Sequence, residues 1–147
     1  MPKATAADAD LILRLYDMRR EPEMRKGRNW LIFEFWPTSW EDVQKIQNAR
    51  GSDENRYLRQ ISSYWEMACS LVARGALNAE LFADSNGEAW FLYTKLKPYL
   101  KQMRETINPA MLANVEKVVT GSPAGRKRIV ALEERIAKMT AAAAGKK

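Results

Sequence analysis

The chain has 147 residues, of which 46% are hydrophobic and 29% are charged, and these values are those of an ordinary globular protein with one domain. Its 24 basic and 18 acidic side chains give a net charge of +6, and histidine is absent. The absence of histidine removes the commonest transition-metal ligand and every catalytic triad that uses imidazole, so an enzyme is disfavoured and no metal or cofactor is expected.

The single cysteine, Cys69, excludes an internal disulfide and a thiol-based zinc site. No apolar run approaches the roughly 20 residues that a membrane span requires. The N-terminal residues show no signal-peptide pattern. We therefore predict a cytoplasmic protein without a membrane span.

Helical periodicity recurs along the chain and convincing strand alternation is absent, which predicts an all-α single domain, an irregular bundle of six or seven helices. Thr5 and Asp8 form a capping box at the start of the first helix. A second helix starts at Pro22 and should end before Pro37. A longer helix follows from Ser52 to about Arg74.

The second half of the chain continues this helical pattern. A helix is predicted from about residue 88 to residue 106, and Pro98 within it should produce a kink. Residues 1–120 form the predicted helical core. Residues 121–125 read as a hinge, residues 126–140 as a C-terminal helix that docks on the domain or a partner, and residues 141–147 as a disordered tail.

A series of short motifs lies between about residues 16 and 105. They are Pro22-Glu23-Met24, Arg28, Tyr64-Trp65-Glu66, Leu71-Val72, Arg74-Gly75, Leu77, Tyr93, Lys95-Leu96-Lys97-Pro98 and Arg104. With these motifs the segment resembles a widespread family of small bacterial and phage proteins that is known as a domain-of-unknown-function family. The resemblance implies an all-α fold and brings no activity.

Glu66 is the most distinctive polar candidate. Helical spacing places Ser62, Ser70 and Arg59 near it, which would form a polar groove of Glu66, Arg59, Ser62 and Ser70. The alternative is a surface carboxylate bonded to the backbone of a neighbouring segment or to a basic group such as Arg28, and we favour it because structural pairs are commoner than lone working carboxylates. No catalytic residue is assigned.

An aromatic cluster of Trp30, Phe33, Phe35, Trp36 and Trp40 holds five of the 14 aromatic residues within an 11-residue stretch. A helix that is apolar on all sides is buried on more than one side. It is therefore either the central helix of the bundle or the interface of a homodimer, in which tryptophan and phenylalanine are enriched.

The basic excess lies in residues 74–147, which carry 13 basic and 7 acidic side chains. An excess confined to one half could favour an anionic partner. Lysines interleaved with aromatic rings can bind single-stranded nucleic acid, although Trp90 can equally pack inward while the lysines face solvent. The candidate contact residues are Arg126, Lys127, Arg128, Lys97, Lys101 and Trp90.

These observations predict a non-enzymatic protein-interaction or regulatory module whose partner is a protein, including a second copy of itself as a homodimer. The alternative is a nucleic-acid-binding accessory protein that uses the basic C-terminal half. A remote alternative is an enzyme that uses Glu66 as a general base.

Overall fold

The computed structural model describes residues 2–146, and it has helices but no strands among them, which confirms the predicted all-α class. The described residues contain eight helices when α6 and α7 are counted as one kinked helix, against the six or seven predicted. The helices are α1 (Ala6–Arg19), α2 (Pro22–Asn29), α3 (Trp40–Asn48), α4 (Asp53–Ala73), α5 (Ala79–Ser85), α6 (Glu88–Leu96), α7 (Leu100–Thr106), α8 (Ala113–Val119) and α9 (Pro123–Ala144).

Polar side chains begin several of these helices by accepting hydrogen bonds from unpaired backbone N–H groups. The predicted capping box of Thr5 and Asp8 is present, since the Asp8 N–H donates to Thr5 Oγ1 and the Thr5 N–H donates to Asp8 Oδ2. Ser52 caps α4 and Ser122 caps α9 in the same manner. Local sequence therefore defines where these helices start.

The second helix departs from the sequence prediction at its C-terminal end. It continues beyond α2 as a π-helical turn, Trp30–Glu34, in which the Phe35 N–H donates to the Trp30 carbonyl at 2.9 Å. We refer to residues 30–34 as the π-turn. Such wider turns leave backbone carbonyls available to other donors. The prediction of one regular helix up to Pro37 is therefore wrong over its last turn.

Pro98 interrupts the helix of α6 and α7, as predicted. The turn Lys97–Tyr99 has 3-10 geometry and joins the two parts. Proline has no N–H to donate, and its ring clashes with the preceding turn of an α-helix. The kink separates α7 from α6, and α6 packs on α9.

The core is organised around α4, which packs against α2 and α8. Trp65 and Ile61 on this helix are completely buried. Trp65 also meets the rings of Tyr64 and Phe82 edge to face, with centroids 4.9 and 6.1 Å apart. Aromatic pairs of this kind add about 0.5–1.5 kcal/mol to the energy of burial.

The connection between α8 and α9 is a tight turn. Gly125, within the predicted hinge at residues 121–125, lies in the first turn of α9 and is buried. Its carbonyl accepts a hydrogen bond from Trp90 Nε1 at 3.2 Å, which ties the start of α9 to α6. Contacts between α6 and α9 accompany this bond.

The C-terminal prediction requires a correction. Residues 141–144, which were expected to be disordered, are the last residues of α9. All four are alanines, and alanine has the highest intrinsic helix propensity. Lys147 of the predicted tail lies outside the described residues. Over residues 2–146, no helix combines the length and the apolar character that a membrane crossing requires.

Gly125 offers a test of this turn. A Cβ atom at residue 125 would collide with the Val119 carbonyl oxygen, which belongs to the backbone and cannot swing away. We expect Gly125→Ala to lower the free energy of unfolding by about 1–3 kcal/mol through overpacking, as measured by urea denaturation. In the control Gly145→Ala, the new Cβ would lie 3.6 Å from the Ala142 carbonyl oxygen, an ordinary contact, so little change is expected. Equal effects of the two substitutions would contradict this packing.

Candidate functional site

A cleft of about 570 Å³ lies between α9 and the N-terminal end of α6. Four guanidinium groups line it, together with a single carboxylate, Glu88. We refer to it as the arginine cleft, and its arginines are Arg19, Arg28, Arg128 and Arg135.

Arg19 is the last residue of α1 and is only 8% exposed. Its Nη1 donates to Asn86 Oδ1 at 2.7 Å, and its guanidinium carbon lies 5.3 Å from the centroid of the Trp65 ring. Its Nε is buried and has no hydrogen-bond partner among the described residues. Packing thus holds this cation in place without neutralising it.

Arg28 and Glu88 form the ion pair of the cleft. Arg28 Nε donates to Glu88 Oε2 at 2.8 Å, and Trp65 Nε1 donates to Glu88 Oε1 at 3.2 Å. Glu88 is the first residue of α6, where a negative charge interacts favourably with the helix dipole. Both oxygens of the only lining carboxylate are therefore engaged.

Arg128 and Arg135 are seven residues apart on α9, so they project from nearly the same face. Arg128 lies over the Trp90 ring at 4.8 Å from its centroid, and its Nη1 donates to the Ala83 carbonyl at 3.0 Å. Gly87 makes room for it, because a Cβ there would collide with Arg128 Nη2. Arg135 is exposed and has no ion pair or side-chain hydrogen bond with any described residue.

The cleft therefore combines positive charge with apolar surface. One guanidinium is paired with Glu88, and arginine stays protonated at every physiological pH, so three uncompensated cations remain. The apolar part of the lining consists of Ile32, Phe91, Leu132 and Met139. Guanidinium groups bind carboxylates and phosphates through directed, charge-assisted hydrogen bonds. The geometry suits an anionic group that is attached to an apolar neighbour.

The basic residues predicted as anion contacts are not brought together. Arg128 lines the arginine cleft, whereas Arg126 Nη1 donates to the Thr120 carbonyl and Lys97 pairs with Glu133 at 3.3 Å. Lys101 and Lys127 are exposed elsewhere. Trp90 is 3% exposed, so its ring cannot stack on a nucleic-acid base in this conformation.

The predicted polar groove corresponds to a second cleft, of about 880 Å³, beside α4. Arg59, Ser62 and Glu66 line it, but Ser70 does not, and the Ser70 hydroxyl donates to the Met67 carbonyl. The Ser62 hydroxyl is buried and has no hydrogen-bond partner within the described part of the chain.

The carboxylate of Glu66 caps the N-terminus of α8. It accepts hydrogen bonds from the Asn114 N–H, the Asn114 side-chain amide and the Val115 N–H, at 2.9–3.1 Å. The residue before α8, Leu112, has a left-handed backbone with φ of 52° and supplies no side-chain cap of its own. Glu66 is therefore bonded to the backbone of another segment, which was the favoured alternative to a working carboxylate.

The predicted interface aromatics divide between core and surface. Trp30 and Phe35 are buried within the single chain, where their rings stack with centroids 4.5 Å apart. Trp36 and Trp40 are half-buried. Phe33 is the member of the set that is largely exposed, at 67%. Packing within one chain therefore accounts for two of the five residues.

Lys95 is a buried lysine that the sequence analysis did not select as a site. It is 4% exposed, and its ammonium donates to the Leu31 and Phe35 carbonyls at the π-turn. The nitrogen also lies 3.6 Å from the centroid of the Trp36 ring and 4.8 Å from that of Phe91. Burial lowers the pKa of Lys95 to about 7.

A signal for Lys95 was present in the sequence. It lies three residues after Leu92 and four before Tyr99, so it falls on the apolar stripe of its helix. Arg19 likewise follows Leu15, a buried residue of α1, by four positions. A charged residue on an apolar stripe is the pattern that distinguishes these two cations from the exposed lysines.

The described residues contain no other centre of reactive chemistry. Within residues 2–146, no group of three or more cysteine, aspartate or glutamate side chains could hold a metal ion. Cys69 is buried, and burial raises the pKa of its thiol to about 12. A thiol with this pKa is not a nucleophile at neutral pH.

Comparison with known proteins identifies a family. Residues 4–122 match the family described as a domain of unknown function, DUF4760. The match includes the stretch of residues 16–105 on which the sequence resemblance rests, and it ends at the residue that caps α9. No curated protein and no solved structure matches the chain significantly.

Substitution of Glu66 tests its role as the cap of α8. We expect Glu66→Gln to lower the free energy of unfolding by about 1–3 kcal/mol, because an amide replaces one of the oxygens that accept N–H bonds. Hydrogen exchange at the Asn114 and Val115 amides should accelerate. The matched control is Glu105→Gln, at an exposed position. Unchanged exchange at the two amides would contradict the capping role.

Lys95 should make stability depend on pH in an unusual direction. Its pKa is about 7 in the folded protein and about 10.4 in the unfolded chain, so the unfolded chain binds more protons between these values. Stability therefore rises with pH in this window. Relative to Lys95→Met, the free energy of unfolding of the wild type should increase by about 1.4 kcal/mol per pH unit from pH 7 to pH 10. Parallel pH curves for the two proteins would contradict this burial effect.

Proposed function

We propose that this chain, which belongs to the DUF4760 family of domains of unknown function, is a non-enzymatic interaction module that binds an acidic segment of a partner protein in its arginine cleft. The observation that carries the proposal is the group of three guanidiniums without a carboxylate partner, beside an apolar wall.

A bound anion would stabilise this group of cations further. Like charges close together repel one another, and the Arg19 guanidinium also has a buried Nε without a partner. An incoming carboxylate would relieve the repulsion and could accept two parallel hydrogen bonds from one guanidinium. This reasoning supports a bound anion.

The size and lining of the cleft favour a protein segment over nucleic acid. About 570 Å³ accommodates one or two side chains, and the apolar wall of Ile32, Phe91, Leu132 and Met139 suits an aliphatic neighbour of the acidic residue. A nucleic-acid backbone instead requires a continuous basic track. Outside the cleft, Lys97 is paired with Glu133, which reduces the positive charge available to such a backbone.

Two further observations support a binding role over catalysis. The carboxylate of Glu66 is occupied by the N-terminus of α8, so it has no free position as a general base. The one carboxylate that lines the cleft, Glu88, is bonded to Arg28 and Trp65. The homodimer remains a separate prediction. Of the five aromatic residues predicted at its interface, Phe33 is the one that is largely exposed.

Arg135 provides the most direct test, because its removal breaks no described intramolecular bond. We expect Arg135→Gln to weaken binding of a fluorescently labelled peptide of alternating glutamate and leucine by about tenfold, the equivalent of about 1.4 kcal/mol for one lost charge-assisted interaction. Fluorescence anisotropy at low salt measures the affinity, which should fall as salt is added. The control Lys138→Gln removes an exposed charge from the same helix outside the cleft and should have little effect.

Gly87→Ala supplies a second variant that leaves every charge in place. Its new Cβ displaces the Arg128 guanidinium, and we expect weaker peptide binding without loss of fold by circular dichroism. Absence of peptide binding at low salt, or equal effects of Arg135→Gln and Lys138→Gln, would contradict the proposal. Tighter binding of an oligonucleotide of equal charge would instead favour the nucleic-acid alternative.

A further inference from the structure

The arginine cleft and the aromatic surroundings of Lys95 share part of their lining. Phe91 lines the cleft, and its ring centroid lies 4.8 Å from Lys95 Nζ. Ile32 lines the cleft from within the π-turn, next to Leu31, whose carbonyl accepts a hydrogen bond from the same ammonium. A single layer of side chains and backbone therefore separates the two.

Among the described residues, no carboxylate forms an ion pair with Lys95. Of the charged groups on the surrounding elements, Glu88 is bonded to Arg28, Asp42 accepts from the Thr38 N–H, and Glu34 on the π-turn is exposed. Burial lowers the pKa of Lys95. On the side of α9, the charged residues at the cleft are Arg128 and Arg135, which are both cationic.

Lys95 is therefore placed to change its charge at neutral pH. The chain has no histidine, and among the shifted side chains of the described residues Lys95 has the pKa nearest to 7. The amine retains two N–H donors after it loses a proton, so the bonds to the Leu31 and Phe35 carbonyls can persist in both states. Deprotonation then alters the charge behind the cleft wall while the π-turn stays in place.

We propose that binding of an anion in the arginine cleft draws a proton onto Lys95, so that the affinity of the cleft falls as pH rises through neutrality. This inference rests on the proposed function. A negative charge behind Phe91 stabilises the ammonium over the amine, because the interaction crosses a buried layer of low dielectric constant. By linkage, the ammonium strengthens anion binding by the same factor.

Calorimetry of peptide binding tests the coupling. The glutamate–leucine peptide is titrated into the full chain at pH 7 in two buffers with different ionisation enthalpies. Glutamate and arginine do not titrate near this pH, so a difference in apparent enthalpy reports proton uptake by the protein. We expect net uptake of a fraction of a proton and an affinity that falls several-fold between pH 6 and pH 8.5. Lys95→Met should lose both, whereas Lys101→Met, at an exposed position of α7, should keep both.

A direct titration makes the result independent of how Lys95→Met folds. The pH dependence of the Lys95 side-chain ¹³Cε resonance is followed in the wild type, with and without peptide. The midpoint should lie near neutral pH in the free protein and rise when the peptide is bound. A midpoint above pH 9 in the free protein, or one that the peptide leaves unchanged, would overturn the coupling.

The two proposals fail in different ways. Peptide binding without proton uptake, or with uptake that Lys95→Met retains, overturns the coupling and leaves the proposed function standing. The absence of any peptide binding overturns both.

Discussion

Contacts between cationic side chains and tryptophan rings join the helices of this bundle. Arg19 lies over Trp65, Arg128 over Trp90 and Lys95 over Trp36, and these pairs join α1 to α4, α9 to α6 and α6 to the segment after the π-turn. Burial of a charge is costly unless polar or quadrupolar partners replace water. The electron-rich ring faces and a few carbonyl oxygens provide that replacement here, so the chain can bury positive charge without an equal number of carboxylates.

Much of the fold could be predicted because its signals are local. Thr5 with Asp8, Ser52 and Pro98 each act within one helical turn, and their effects appear at the expected positions. The π-turn could not be predicted in the same way. The Leu31 and Phe35 carbonyls at this turn accept hydrogen bonds from Lys95 of α6, which lies 64 and 60 residues away along the chain. Periodicity alone carries no information about which carbonyls a distant lysine will contact.

The candidate sites show the same division. The spacing of Arg59, Ser62, Glu66 and Ser70 on one helix predicted a shared polar groove. The first three line one cleft, and Ser70 does not. That Glu66 would cap α8 depended on the packing of α4 against α8, which no local pattern specifies. The arginine cleft is less predictable still, because it assembles residues from four separate segments, and two of its arginines lie beyond the region that matches the family.

The absence of histidine does not exclude a side chain that titrates near neutral pH. It excludes imidazole as a ligand or a base, but the proton equilibrium of a side chain is set by its surroundings as much as by its type. Lys95 is surrounded by Phe35, Trp36 and Phe91 and forms no ion pair with a carboxylate in residues 2–146, and its burial brings its pKa to about 7. A lysine with such surroundings can gain or lose a proton near neutral pH in a chain that has no histidine.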